Sequence, residues 1–135
     1  LSAAIAAADI DGVVHISGHV GDMATAYLAA DVVISASTEP EGFGRVAAEA
    51  GAMARPVIAT DHGGARETVL PDISGLLTPP GDAGALRAAI AWMAAMGTEA
   101  RIKMGQRGRA HIIAHYTKEK MCADTLGLYR KLIQR

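Results

Sequence analysis

The sequence predicts an α/β protein, a parallel sheet with helices on both faces, and three observations carry that prediction. Short β-branched runs (VVHIS at 13–17, DVVISAS from Asp31, PVIAT at 56–60) are separated by helix-patterned segments of about ten residues, the spacing of βαβ units. Half of the residues are apolar but aromatics make up only 4%, so alanine and aliphatic side chains must build the core, which suits helices packed closely on a sheet. Glycine turns follow two of the strand candidates, at 42–44 and 63–64.

The elements follow in order. LSAAIAAADIDG reads as the second half of a helix and the turn after it, and with Leu1 in first place the chain reads as part of something longer. VVHIS, after Asp11-Gly12, reads as a buried strand. Asp22 can cap a helix carrying Met23, Ala26, Tyr27 and Ala30, and DVVISAS supplies the next strand. A loop from Thr38 to Gly42 leads into a helix from Gly44 to Met53, whose face carries Val46, Ala50 and Met53. PVIAT is a strand, and a short helix runs from near Ala65 to before Pro71. SGLLTPPGD gives one more strand and a Pro-Gly turn. Asp82 then caps a helix with Leu86, Ile90 and Met93, after which helix and brief breaks alternate to Arg135. No repeat or linker interrupts the chain, so residues 1–135 read as one domain or the larger part of one.

Composition narrows the function. A net charge of −1 with dispersed basic residues lacks the footprint of a nucleic-acid binder. The lone Cys122 excludes an internal disulfide and a CxxC pair, which suits a reducing compartment. No apolar run approaches the roughly 20 residues of a membrane span, and no charged and apolar leader opens the chain. The expectation is a soluble, cytoplasmic protein.

The chemistry concentrates in PEGFGRVAAE, Pro40 to Glu49. Gly42-Phe43-Gly44 lies between a strand end and a helix start, where glycines let a ligand approach the backbone and the first helical N–H groups favour anions or hydroxyls. Ligands bind at the carboxyl ends of strands in such sheets. Glu41 and Glu49 can border that crevice, and a carboxylate matches the two donors of a sugar diol. A plainer reading stands beside this one: Arg45 and Glu49 form an i, i+4 surface pair and Glu41 favours the helix dipole. His62-Gly63-Gly64 repeats the strand, glycine turn, helix arrangement, and Glu67 either caps that helix or touches the ligand. Two adjacent anion-receptive turns suit a sugar joined to a phosphate.

The stretch EPEGFGRVAAEAGAMARPVIATDHGGARETV resembles the signature of the retaining glycosyltransferases of family 4, which have the GT-B fold: two glutamates separated by seven residues across a turn and helix, a Pro-Val strand and a Gly-Gly-x-x-Glu segment. The resemblance continues through DISGLLTPPGDAGALRAAI and covers Val14 to about Ile90. Its wording is further similar to bacterial members that build lipopolysaccharide core, often mannosyltransferases. It implies a Rossmann-like C-terminal half of a GT-B fold, lacking its first βα segment, that binds a nucleotide-sugar donor such as a GDP- or UDP-hexose. It implies that Glu41 contacts hydroxyls of the donor sugar and is the catalytic candidate. The N–H groups of Phe43 and Gly44 would lie near the sugar or its phosphate, with Gly42, Arg45 and Val46 beside the diphosphate and Gly63 and Gly64 at the second turn. Glu49 would accept from the ribose hydroxyls. Transfer to a glycan or lipid-linked acceptor would proceed with retention, without a cofactor or metal, and the sequence has no paired-aspartate DxD motif.

The family's basic diphosphate-binding residues and its acceptor-side histidine precede the matching region, so a partnering N-terminal GT-B domain is implied. The isolated chain is then expected to be inactive, and the full enzyme to associate peripherally with the inner face of a bacterial membrane. Ala54 stands where the family usually places glycine, at a cost of about 1 kcal/mol if that position is left-handed. A noncatalytic Rossmann-like nucleotide-binding module and a related phosphorylase or epimerase domain are the competing readings.

Elsewhere, His111 and His115 have the spacing of a two-histidine zinc face but lack its glutamate and a third ligand. His19 falls in a loop. Cys122, Leu126, Tyr129 and Ile133 form an apolar stripe expected in the core or at an interface, and Trp92 is expected in the core.

Overall fold

The computed structural model describes residues 1–134. Its elements are α1 (Ser2–Ala7), α2 (Met23–Ala29), β1 (Val33–Ser35), α3 (Arg45–Ala52), β2 (Val57–Thr60), α4 (Ala65–Thr68), β3 (Gly75–Thr78), α5 (Ala83–Ala95), α6 (Thr98–His115) and α7 (Lys118–Ile133). The strands form a parallel sheet in the order β1-β2-β3, with Val33 opposite Val57 and Thr60 opposite Thr78.

Alternation along the central strand divides the core in two. Val57 and Ala59 face one side with Tyr27 of α2, Ala47 and Ala50 of α3, Ala65 and Val69. Ile58 faces the other with Met93 of α5 and Met104 of α6, beside Leu76, Leu86 and Ala89. β2 is buried along its whole length, which is why PVIAT reads as an unbroken apolar run. Small residues on α3 let it lie close to its neighbours, Ala47 and Ala50 toward the sheet and Gly51 toward Gly108 and Ile112 of α6.

The caps predicted from aspartate hold. Asp22 accepts from the Thr25 N–H at 3.1 Å and from its hydroxyl at 2.6 Å, contacts that lower its pKa below the usual carboxylate value, the hydroxyl foremost. Asp82 accepts from the Ala85 N–H at 2.9 Å. Ala54 is left-handed (φ 56°), the conformation for which glycine is the cheaper residue. Its carbonyl lies so close to Gly105 of α6 that a Cβ there would overlap it.

Three expectations fail. VVHIS forms no strand: Val13 and Ile16 are 79% and 57% exposed, and the segment pairs with nothing among the described residues. β-Branching favours a strand only where a neighbour takes up its backbone hydrogen bonds, and β1 ends the sheet on that side without engaging it. Trp92 is half exposed, because α5 packs through Leu86, Ala89 and Met93 and Trp92 lies off that face. The core placement of the α7 stripe fails, since the helix buries no residue and Cys122, Leu126, Tyr129 and Ile133 are all exposed, an exposure that agrees with the interface alternative. Among the described residues no helix is long and apolar enough to cross a membrane.

Candidate functional site

The carboxyl ends of β1 and β2 open toward the starts of α3 and α4, and both glycine turns lie there. The first is an arch exposed at Gly42 and Phe43 and buried at Gly44. Gly44 occupies the N-cap of α3 with φ 72°, a left-handed conformation that turns the chain from the loop into the helix. A Cβ at Gly42 would meet nothing within 4 Å, so the arch is bare on its outer side. Among the described residues no acceptor takes the N–H of Phe43 or Gly44, and those of Arg45 and Val46 belong to the open first turn of α3. These four donors sit at the positive end of an eight-residue helix.

Glu49 lies farther along α3 and is held from two sides. The Tyr27 hydroxyl, on α2, donates to Oε2 at 3.0 Å, and the Arg45 guanidinium donates to Oε1 from Nε at 3.2 Å and from Nη2 at 3.0 Å. The plain i, i+4 pair is therefore real, but Arg45 is 83% exposed, and such a pair contributes only about 0.3–0.5 kcal/mol. Tyr27 is buried, and burial first, then the bond to Glu49, raises its pKa above the ordinary tyrosine value. Tyr27, which holds Glu49, is a contact the sequence reading missed, having named it only among the residues of the helix face; the one signal was a hydroxyl-bearing side chain in an otherwise apolar helix face.

The second turn faces inward. The Gly64 N–H donates to the Glu41 carbonyl at 2.9 Å, so it is committed to the protein. A Cβ at Gly63 (φ 52°) would overlap the backbone of Glu41, and one at Gly64 the backbone of Phe43. The first arch thus rests directly on the second. Arg66 closes the base of that turn on Asp61, donating from Nε to Oδ1 at 2.8 Å. Glu67 does not cap α4: it is exposed, and its carboxylate takes no hydrogen bond among the described residues. Its carbonyl oxygen holds the contacts instead, accepting from the Tyr116 hydroxyl at 3.0 Å and lying 2.8 Å from Nε2 of His111.

Through those bonds the end of α6 ties down α4. Tyr116 also meets Phe43 of the arch, ring centroids 5.6 Å apart. Burial, then the charge of Glu67, raises the Tyr116 pKa. His111 and His115 stack at 5.0 Å, and His111 spends Nε2 on the Glu67 carbonyl. Among the described residues no three His, Cys, Asp or Glu side chains gather in a way that could hold a metal ion.

Glu41 precedes the arch, beside a small niche shared with Ser35, Ser37, Thr60 and His62, and Glu49 lies one helical turn beyond it, against α2. The arrangement offers free N–H donors for an anion and a carboxylate at either end for hydroxyls.

The family model for glycosyl transferases group 1 matches residues 1–111. The D-inositol 3-phosphate glycosyltransferase of Corynebacterium urealyticum is 36% identical over 116 residues, 82% of this chain and 26% of the relative, so the chain spans about a quarter of that enzyme's length. The sucrose-phosphate synthase of Thermosynechococcus elongatus superposes with a TM-score of 0.89 at 34% identity, over 98% of this chain and 33% of that one. HepE of Anabaena, solved in complex with UDP, superposes with a TM-score of 0.86 at 29% identity, over 93% of this chain and 35% of that one, and it has also been solved with UDP-glucose. The α/β fold is that of GT-B C-terminal domains, and the chain belongs to the glycosyl transferases group 1 family.

Proposed function

We propose that this chain is the donor-binding domain of a retaining hexosyltransferase, taking a UDP- or GDP-hexose and, together with an N-terminal GT-B domain, passing the sugar to a glycan or lipid-linked acceptor. The observation that carries the reading is the Gly42-Phe43-Gly44 arch, open at Gly42 and with uncommitted N–H groups at Phe43 and Gly44 among the described residues, preceded by Glu41 and followed one helical turn later by Glu49.

The donor's diphosphate lies against the N–H groups of Phe43, Gly44, Arg45 and Val46 at the head of α3, and Glu49 accepts from the ribose hydroxyls. A carboxylate offers about four lone-pair positions, of which Tyr27 and Arg45 use three, so the diol displaces at least one bond from Arg45. That costs little, because the exposed pair is worth about 0.3–0.5 kcal/mol, while Tyr27 keeps the carboxylate aimed. Glu41 contacts the hexose hydroxyls and steadies the positive charge that grows on the anomeric carbon. The bond from that carbon to the phosphate oxygen breaks, the acceptor oxygen bonds to the same face, and the acceptor proton passes to the departing phosphate. Stabilising those charges is the protein's main contribution. The scheme needs no metal or cofactor, since the donor is itself the substrate. Gly63 and Gly64 support the arch from beneath. The lipopolysaccharide-like wording of the sequence makes a lipid-linked acceptor at the membrane face the first to try.

Product analysis tests the reading. The full-length protein with a sugar nucleotide and acceptor should give a glycoside with the donor's anomeric configuration, read by NMR. Glu41→Ala should lower turnover about 10²-fold, the scale for losing a charge-stabilising group. An inverted product, or full activity in Glu41→Ala, overturns it.

A further inference from the structure

One buried polar group beside the arch has no partner. Nε2 of His62 lies 2.9 Å from the Ser37 carbonyl oxygen, which also accepts from the Thr60 hydroxyl at 2.8 Å. A carbonyl only accepts, so Nε2 carries the hydrogen, and a ring with one hydrogen leaves Nδ1 an acceptor. That Nδ1 is shut from solvent and bonded to nothing among the described residues. Leaving a buried acceptor empty costs stability, and native proteins rarely do so without a functional reason.

The surroundings indicate what completes it. His62 lines the niche that also holds Glu41, Gly44 and Thr60, and its volume of about 10 Å³ has room for roughly one oxygen atom. Glu41 is the residue assigned above to the donor sugar. We propose that His62 is a specificity-determining residue, whose Nδ1 accepts a hydrogen bond from one hydroxyl of the donor hexose. The proposal rests on the donor-site reading. Glu41 and Nδ1 are both acceptors, and a hydroxyl has a single hydrogen, so the two side chains read different hydroxyls. Donors that differ in one hydroxyl are then told apart at His62, because a donor lacking it leaves Nδ1 empty. A water in the same niche has the same O–H chemistry, and the experiment separates the two.

The test uses two variants of the full-length protein, each checked by thermal melting, titrated calorimetrically with UDP and UDP-glucose and with GDP and GDP-mannose. In His62→Gln the amide nitrogen reaches the Nε2 position and keeps the Ser37 bond, but nothing remains at Nδ1. In His62→Asn the carboxamide falls at the Nδ1 position. His62→Gln should bind the bare nucleotide as the wild type does and its hexose conjugate about five- to tenfold more weakly, and His62→Asn should recover part of that loss. Conjugates deoxygenated at single positions add a thermodynamic cycle: the wild type should lose affinity for one of them, and His62→Gln should be indifferent to that same deletion. Equal binding of both ligands by His62→Gln, or an equal loss of both, overturns the proposal, the second being the mark of a structural water. Failure of the donor-site reading looks different, since the wild type would then bind none of the four ligands.

Discussion

The two glycine turns follow neighbouring strands and each leads into a helix, yet they face opposite ways. At Gly42 a side chain would meet open space, whereas at Gly63 and Gly64 it would enter the backbone of Glu41 and Phe43. At the first turn the N–H groups of Phe43 and Gly44 are uncommitted among the described residues, and at the second the Gly64 N–H is bonded to the Glu41 carbonyl. Glycine at the second turn serves close approach of one backbone to another, whereas Gly42 of the first has no protein neighbour to approach. Similar local sequences can hold unlike jobs, and only the packing between them separates the two.

The largest expected effect comes from filling the contact between the turns. Gly64→Ala forces backbone against backbone and should cost about 3 kcal/mol or more in chemical denaturation, with loss of transferase activity. Gly42→Ala adds the same methyl group to the open arch and should change stability by less than about 0.5 kcal/mol while weakening sugar-nucleotide binding. Similar losses of stability from both would erase the contrast.

A smaller effect tests the frame behind the second turn. Ala54→Gly relieves a left-handed alanine and should raise stability by about 1 kcal/mol or less, the gain being offset in part by a freer unfolded chain. Denaturation midpoints decide it, and a lower midpoint would mean that the Ala54 methyl contributes packing that outweighs the strain. Donor affinity should not change.

On the binding side, Tyr27→Phe removes the donor that aims Glu49. Nucleotide affinity should fall by about 0.5–1.5 kcal/mol, the net worth of one hydrogen bond, with the fold intact by circular dichroism. Unchanged affinity would show that Arg45 alone orients the carboxylate.

The smallest effect is in pH. The Tyr27 pKa is raised in the fold, so the folded chain keeps that proton to higher pH than the unfolded one. Its contribution to stability is full below about pH 10 and is lost as pH rises through the higher folded value. Melting temperatures between pH 9 and about 11.5 should fall less steeply in Tyr27→Phe than in the wild type, and parallel slopes would contradict the assignment.

Much of this was legible in the sequence, and the gaps have physical causes. β2 could be read because a strand buried on both faces is apolar throughout, and the Asp22 and Asp82 caps because a cap is a local hydrogen bond. VVHIS misled because strand propensity needs a partner that sequence does not display. The glycine turn at the head of α3 was legible from its local sequence, and the i, i+4 pair of Arg45 with Glu49 from its spacing. The inward role of Gly63 and Gly64, the aiming of Glu49 by Tyr27 across 22 positions and the clamp of Tyr116 on Glu67 across 49 were not, since each depends on segments distant in the chain.

The central claim is that Glu41 and Glu49 hold the two ends of one nucleotide sugar. Calorimetric titration of the full-length protein with a bare nucleotide diphosphate and its hexose conjugate tests it most directly, in the wild type, Glu49→Ala and Glu41→Ala. The account predicts that Glu49→Ala weakens the bare nucleotide by about 1–3 kcal/mol, the range for losing charged hydrogen bonds, while Glu41→Ala leaves it unchanged and weakens only the added grip on the hexose. Bare-nucleotide affinity that is the same in Glu49→Ala as in the wild type would contradict it.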